Sequence, residues 1–133
     1  MATPGVRRDD RDVTSTHDLG RLFEDAVALH LSDRGWQILA RNVRFQRREI
    51  DLVVRRDGVV AFVEVKGRRG GAYGHPLEAI TWRKRREIEA VAGWWIERFG
   101  EPGLSYRFDA VSVERSRDGR LSLHHVEDAW RPG

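Results

Sequence analysis

The sequence predicts a single α/β domain, and three observations carry that expectation. Residues 49–66 read as two apolar strands joined at Asp57-Gly58, a dipeptide that favours the left-handed backbone of a two-residue hairpin loop, type I′. Stretches with helical apolar spacing flank this hairpin on both sides. Two more alternating segments, around Asp118-Gly119, close the chain. The expected order is α-β-β-β-α-β-β, a mixed central sheet flanked by helices. At 133 residues such a chain builds a core without metal or disulfide staples.

Residues 1–14, with Pro4, Gly5 and alternating charges, read as a loose tail. The domain is expected over residues 15–126 and a short tail over 127–133. The first helix should begin near Ser15 or Thr16, either of which can cap it, with Asp18 at its positive end. Leu19, Leu22, Phe23, Ala26, Val27, Leu29 and His30 make its apolar stripe, and Gly35 stops it. Glu24 falls at the margin of that stripe, facing either water or a neighbouring site. His30 reads as a packed histidine. A strand follows over residues 36–45, with Asn42 as its bulge or bend. Arg44, Arg47 and Arg48 then form a phosphate-binding edge or a solvated turn.

A two-residue loop at Asp57-Gly58 sets Arg56 against Val59, and the constant register sets Asp51 against Glu64 and Glu49 against Lys66. Alternation assigns Asp51, Val53, Phe62, Glu64 and Lys66 to one face. Leu52, Val54, Ala61, Val63 and Val65 take the other. Both faces are largely apolar, so these strands are expected to be central. Two carboxylates facing each other in such a place are costly unless a cation, Lys66 or a nearby arginine balances them.

Gly67 to His75 holds four glycines together with Arg68 and Arg69, a basic loop at the end of the acidic hairpin. It lacks the Gly-Lys-Ser/Thr ending of a Walker loop. Pro76 is expected to open a second helix that runs to Phe99 and ends at Gly100 and Pro102. On its apolar face, with Leu77, Ile80, Ile88, Val91, Trp95 and Phe99, Lys84 is the interruption. Its ammonium either snorkels to water or points at the carboxylates or a phosphate. Arg83 to Arg86 make one basic turn, and Trp94 and Trp95 cannot share a surface. Two final strands should span Ser105–Glu114 and Leu121–Val126, with Arg107 and Asp109 on one face as a structural ion pair or at the edge of the site, and Trp130 as a packed anchor. His124 and His125 face opposite ways in a strand.

Composition excludes some classes. With no cysteine, disulfide frameworks and thiolate metal sites are out. No apolar run reaches membrane-spanning length, and Met1 to Asp12 does not read as a secretory signal, so a cytoplasmic location is expected. Lysine and arginine exceed aspartate and glutamate by 24 to 21. Most of that positive charge is arginine, suited to bidentate phosphate contacts, but nucleic-acid binding depends on a clustered patch more than on a total.

Asp51 followed by Glu64-Val65-Lys66 suits a magnesium-dependent phosphodiesterase. Hard oxygen ligands hold magnesium, and a metal-bound water becomes more acidic while the ion stabilises charge on the phosphate. The Val65 carbonyl is a candidate third oxygen ligand, and Lys66 a group that orients water or stabilises the transition state. The plainer alternative is a salt-bridged patch on an ordinary sheet.

The ordered motifs Gly20-x3-Glu24-x-Ala26, Asn42-Val43-Arg44, Glu49-Ile50-Asp51-Leu52-Val53, Phe62-Val63-Glu64-Val65-Lys66-x-Arg68, Lys84 and Arg107-Phe108-Asp109 resemble the bacterial UPF0102, or YraN-like, family over about residues 15 to 126. That family is similar to the PD-(D/E)xK restriction-endonuclease-like group, which includes Holliday junction resolvases. The resemblance implies a restriction-endonuclease-like fold. In it Asp51 and Glu64 match the metal carboxylates, Lys66 the catalytic lysine, and Glu24 the acidic residue of the first helix. Arg48 departs from the pattern, which commonly has glycine there. The implied function is a DNA endonuclease using Mg2+ (or Mn2+), acting on phosphodiesters of branched or otherwise structured DNA. Arg44, Arg48, Arg68, Arg69 and Lys84 are then the expected nucleic-acid contacts. Resolvase-like work on two strands favours a two-fold homodimer. Two alternatives stand beside this reading: a non-catalytic nucleic-acid-binding or DNA-repair accessory protein, and a protein-interaction domain with a structural salt-bridge cluster.

Overall fold

A computed structural model describes residues 16–69 and 80–132. The elements are α1 (Thr16–Asp33), β1 (Gln37–Phe45), β2 (Arg48–Arg56), β3 (Val59–Arg69), α2 (Trp82–Phe99), β4 (Ser105–Arg115) and β5 (Leu121–Trp130). The five strands form one sheet in the order β1-β2-β3-β4-β5. Every neighbouring pair is antiparallel except β3 and β4, which run parallel from Val59↔Ser105 to Arg69↔Arg115. This is the expected α/β architecture and element order.

Local chemistry sets the boundaries. Gly35 takes φ +90° where α1 ends, a conformation that costs glycine nothing. Asp57 takes φ 55° in the β2–β3 loop, and the ladder runs from Arg56↔Val59 to Leu52↔Val63 in the expected register. The second helix begins later than Pro76, which lies outside the described residues along with most of the glycine-rich loop. Thr81 is extended, at φ −69° and ψ 163°, and its hydroxyl accepts the Lys84 N–H at 3.1 Å, so the helix starts at Trp82 with a threonine cap.

The sheet is covered on both faces. On the α2 side Val53, Val60, Phe62, Ile88, Val91, Trp95, Phe108 and Trp130 form one core. On the α1 side Val27, Leu31, Trp36, Leu52, Val54, Ala61, Val63, Val111 and Val113 form the other. Alternation predicts this partition for β2 and β3, with one break. Ile50 joins the α2-side core with Val53 instead of following Leu52. Two neighbouring residues of β2, Asp51 and Leu52, therefore depart from strict alternation. The paired strand bends at the same level, where Asn42 takes φ 51°, between Arg41↔Leu52 and Val43↔Ile50. The expected bulge at Asn42 is thus a left-handed residue that keeps the register while turning side chains.

One end of the expectation needs adjustment. The last strand reaches Trp130, four residues past its expected end at Val126, where Trp130 stacks on Phe108 at 5.1 Å and donates its indole N–H to Glu89 at 3.0 Å. Trp95 enters the core, whereas Trp94 stacks on Phe45 at the helix edge at 5.4 Å. No helix among the described residues is long and apolar enough to cross a membrane.

Arg107 and Asp109 form the expected ion pair, with two bonds of 3.0 and 3.2 Å. Asp109 is fully buried and also takes His125 Nε2 at 2.7 Å and the Asp128 N–H at 3.0 Å. Burial pushes its carboxyl up, but these donors outweigh burial and leave it below the usual range. Asp109→Ala should cost on the order of 3–5 kcal/mol at pH 7, measured by urea denaturation. A carboxyl held low stabilises the fold above its unfolded pKa, so the wild-type advantage should shrink as pH falls below about 4.

Candidate metal centre

The break in β2 brings acidic side chains together from three elements. Asp51 lies one residue beyond the last recorded β2–β3 ladder pair, and its Oδ2 accepts the Val65 N–H at 2.7 Å. A side chain of one strand thus replaces a main-chain carbonyl as partner of the next. Glu49, two residues back on β2, and Glu24, on α1, each place a carboxylate oxygen in a group with Asp51 whose members all lie within 4.8 Å of one another. Asn42 holds two of them. Its side-chain amide donates to Glu24 at 2.9 Å and to Glu49 at 2.8 Å. Arg44 adds a bond to Glu49 at 3.2 Å.

Glu64 approaches Asp51 from β3 and is almost wholly buried. Burial raises its carboxyl first and the charge of Asp51 second, and together they push it up to about 8. Lys84 and Lys66 oppose that rise, with the Lys84 ammonium 3.9 Å from Glu64 Oε2. Burial also raises Asp51, against the Val65 N–H that favours its anion. Glu24 is raised by burial, then by Asp51 and Glu49, despite its bond from Asn42. The carboxylates are undercompensated by the protein's own cations. In addition, Glu64 Oε1 is the single buried side-chain N or O atom without a hydrogen-bond partner among the described residues. An unpartnered buried carboxylate oxygen calls for an explanation, and an added cation supplies one.

Sequence reasoning reaches most of this centre. Asp51, Glu64 and Glu24 converge, and Lys66 acts electrostatically on Glu64. Lys84 points at a carboxylate, the second of its two expected directions. Val65 contributes its N–H to Asp51. Arg44 sits on Glu49 while its side chain stays 74% exposed. Arg48 is exposed in the β1–β2 ladder opposite Phe45, and Arg68 pairs across the β3–β4 ladder with Glu114. The Arg69 side chain lies outside the described residues. Glu49 is the acidic residue the sequence reading did not assign to the site. Its signal was present: Glu49 and Asp51 stand two apart in one strand, so both project the same way.

One backbone position fixes α1 against this centre. A Cβ at Gly67 would lie 2.3 Å from the Phe23 ring. Phe23 therefore rests against the β3 backbone beside Lys66, and the next residue of α1 is Glu24. A surface groove of about 800 Å³ between α2 and β3–β5 includes Phe62, Ala92, Tyr106 and Trp130 and holds none of the clustered carboxylates.

Fold and centre together define a class: a single α/β domain with a carboxylate-rich, metal-compatible site between the first helix and two interior strands of a mixed sheet. The chain belongs to the Uncharacterised protein family UPF0102, whose profile matches residues 23–113. It is 44% identical over 112 residues to a UPF0102 protein of Symbiobacterium thermophilum, covering 84% of this chain and 95% of that one. It is 40% identical over 117 residues to a UPF0102 protein of Clavibacter michiganensis, covering 88% and 99% respectively. A UPF0102 protein of Chloroherpeton thalassium is 39% identical over 119 residues, covering 84% of this chain and 92% of its own.

Two outcomes follow from this geometry. Glu64 keeps its proton in the folded, metal-free protein up to about pH 8, so its contribution to stability is full below the unfolded pKa near 4.3 and lost as pH rises through 8. In EDTA, the stability difference between wild type and Glu64→Gln should fall over that window; a flat difference would contradict the assigned shift. Gly67→Ala should cost about 1–3 kcal/mol through overpacking, read by thermal melting. Adding Phe23→Leu should recover part of the loss.

Proposed function

We propose that this domain is a metal-dependent nuclease that hydrolyses DNA phosphodiesters, with Asp51 and Glu64 at the metal and Lys66 at the reacting phosphate. The observation that carries the reading is Glu64: a buried carboxylate with one oxygen unpartnered and its pKa held up to about 8, facing Asp51. Such a group is held ready for a hard cation that its neighbours do not replace. The donor set fits magnesium or manganese, since it consists of carboxylate oxygens with no sulfur ligand. Glu24, Glu49 and Asp51 provide oxygens within 4.8 Å of one another, and Val65 orients Asp51 through its N–H. A bound ion would supply charge stabilisation at the phosphate and a more acidic water.

The chain's own residues do the rest. Asn42 fixes Glu24 and Glu49, and Arg44 takes the other Glu49 oxygen, which leaves Glu24 Oε2 to bind or to position water. Lys66, on the alternation face of Glu64, stands ready to orient the nucleophile or to neutralise charge that builds on the phosphate. Lys84 would exchange its contact with Glu64 for one with the DNA backbone. Arg44, Arg48, Arg68 and Arg69 supply further backbone contacts, and the family resemblance supports branched or structured DNA as the substrate.

Lys84 also favours a second reading, a DNA-binding accessory protein without turnover. Its ammonium, 3.9 Å from Glu64, already balances part of the acidic charge.

Labelled single-stranded, duplex, flap and four-way-junction DNAs, incubated with magnesium, manganese or EDTA, separate the two. Metal-dependent cutting that drops on the order of a hundredfold or more in folded Asp51→Ala and Lys66→Ala variants is the expected result. Tight binding by well-folded wild type with no cutting would select the accessory reading instead.

A further inference from the structure

We propose that Trp82 is a stacking platform for an unpaired nucleobase across the first turn of α2 from the carboxylate centre, so that the substrate class is DNA with unpaired nucleotides a short way from the phosphate that is cut. The inference rests on the nuclease reading above and adds a recognition element to it.

Of the five tryptophans, Trp36, Trp95 and Trp130 are buried and Trp94 is stacked on Phe45. Trp82 is 65% exposed. A single exposed apolar residue is ordinary, and its surroundings make this one different. Trp82 is the first residue of α2, and Arg83, Lys84, Arg85 and Arg86 follow it with no acidic residue in the first turn. The ring does not hang free. The Arg85 guanidinium lies 5.5 Å from the Trp82 centroid and 5.8 Å from that of Trp130, and its Nε donates to the Ile80 carbonyl at 3.1 Å. Arg85 thus ties the exposed ring to a buried one, which holds the ring in place before any ligand arrives.

Position links the ring to the centre. Lys84, two residues on, reaches Glu64 at 3.9 Å. At about 100° per residue, Trp82 and Lys84 flank the same first turn from opposite sides, across a helix roughly 10 Å wide. A strand whose phosphate lies at Glu64 and Lys84 would present a base at Trp82 after passing around that first turn, a few nucleotides along. Arg83, with a side chain 90% exposed, and the exposed Arg86 lie along that path to meet intervening phosphates. Exposed aromatic rings set among cations are how single strands are held without sequence readout, because every base has a π-face. Within a duplex those faces are covered by neighbouring base pairs, so only unpaired nucleotides gain from Trp82.

The test measures binding of fluorescein-labelled oligothymidylate and of a blunt duplex of equal length, by anisotropy in calcium buffer, for wild type, Trp82→Ala and Trp82→Phe. The ratio of single-strand to duplex affinity should fall about tenfold in Trp82→Ala and stay within about twofold of wild type in Trp82→Phe, which keeps an aromatic face. Intrinsic tryptophan fluorescence of wild type should be quenched by the oligothymidylate, and most of that quenching should disappear in Trp82→Phe. An unchanged ratio in a folded Trp82→Ala protein would overturn the inference, as would equal losses on both probes. Wild type that cuts DNA in magnesium while Trp82→Ala keeps the ratio would sink the platform and leave the nuclease reading standing. Wild type that neither binds nor cuts would remove both.

Discussion

The centre depends on one hydrogen bond, from the Val65 main-chain N–H to the Asp51 carboxylate. Between central strands a backbone donor normally meets a backbone acceptor, and leaving it unmet is costly. Here the recorded ladder stops at Leu52↔Val63 and the acceptor is a side chain. That substitution lets β2 break its alternation, with Ile50 packed under α2 and Asp51 turned to meet Glu24 and Glu49. The donor also favours the Asp51 anion, against the burial that raises its carboxyl, so one contact positions the group and offsets part of the cost of its charge.

Around this contact the protein concentrates negative charge faster than it supplies positive charge. Lys84 approaches from α2 and Arg44 from β1, yet Glu64 still holds its proton to about pH 8. Asp109, on β4, shows the opposite arrangement. It is as deeply buried, but four donations from three residues satisfy it and hold it below the usual range. Two buried carboxyls in one sheet therefore diverge because one is fully paired and the other is not. The pairing of Asp109 is structural, and the deficit at Glu64 is what marks the other site.

How far the sequence alone reaches can be seen residue by residue. The Asp57-Gly58 loop and the two-residue period fix the β2–β3 register, and so the meeting of Asp51 with Glu64, because a two-residue loop sets Arg56 against Val59 and leaves no slack for a slip. Lys84 was legible as a charge on an apolar helical stripe. What alternation cannot show is where it fails. Asn42 adopts a left-handed conformation and Asp51 leaves its expected face, and both depend on contacts with α1 that are remote in sequence. Glu49 was passed over for the same reason, since its role appears only when Asn42 joins it to Glu24. The start of α2 was misplaced because proline and threonine both open helices, and the extended Thr81 decides between them.

The pairing of β3 has a consequence for how the molecule assembles. On one side β3 meets β2 through a hairpin, with partners only a few residues apart in sequence. On the other it meets β4 in parallel, with Val59 against Ser105, a closure that must wait for α2 to take its place between them in the chain. Local pairing forms ahead of distant pairing because its loop-closure entropy is smaller. Asp51 and Glu64 lie on the early side of that division. Their repulsion is therefore met while β3 is still an open edge, where water can solvate both carboxylates, and it becomes costly only when β4 and the helices close over them. The late steps of folding carry the electrostatic burden of the site, and a cation present during closure would ease those steps and leave the first hairpin largely unaffected.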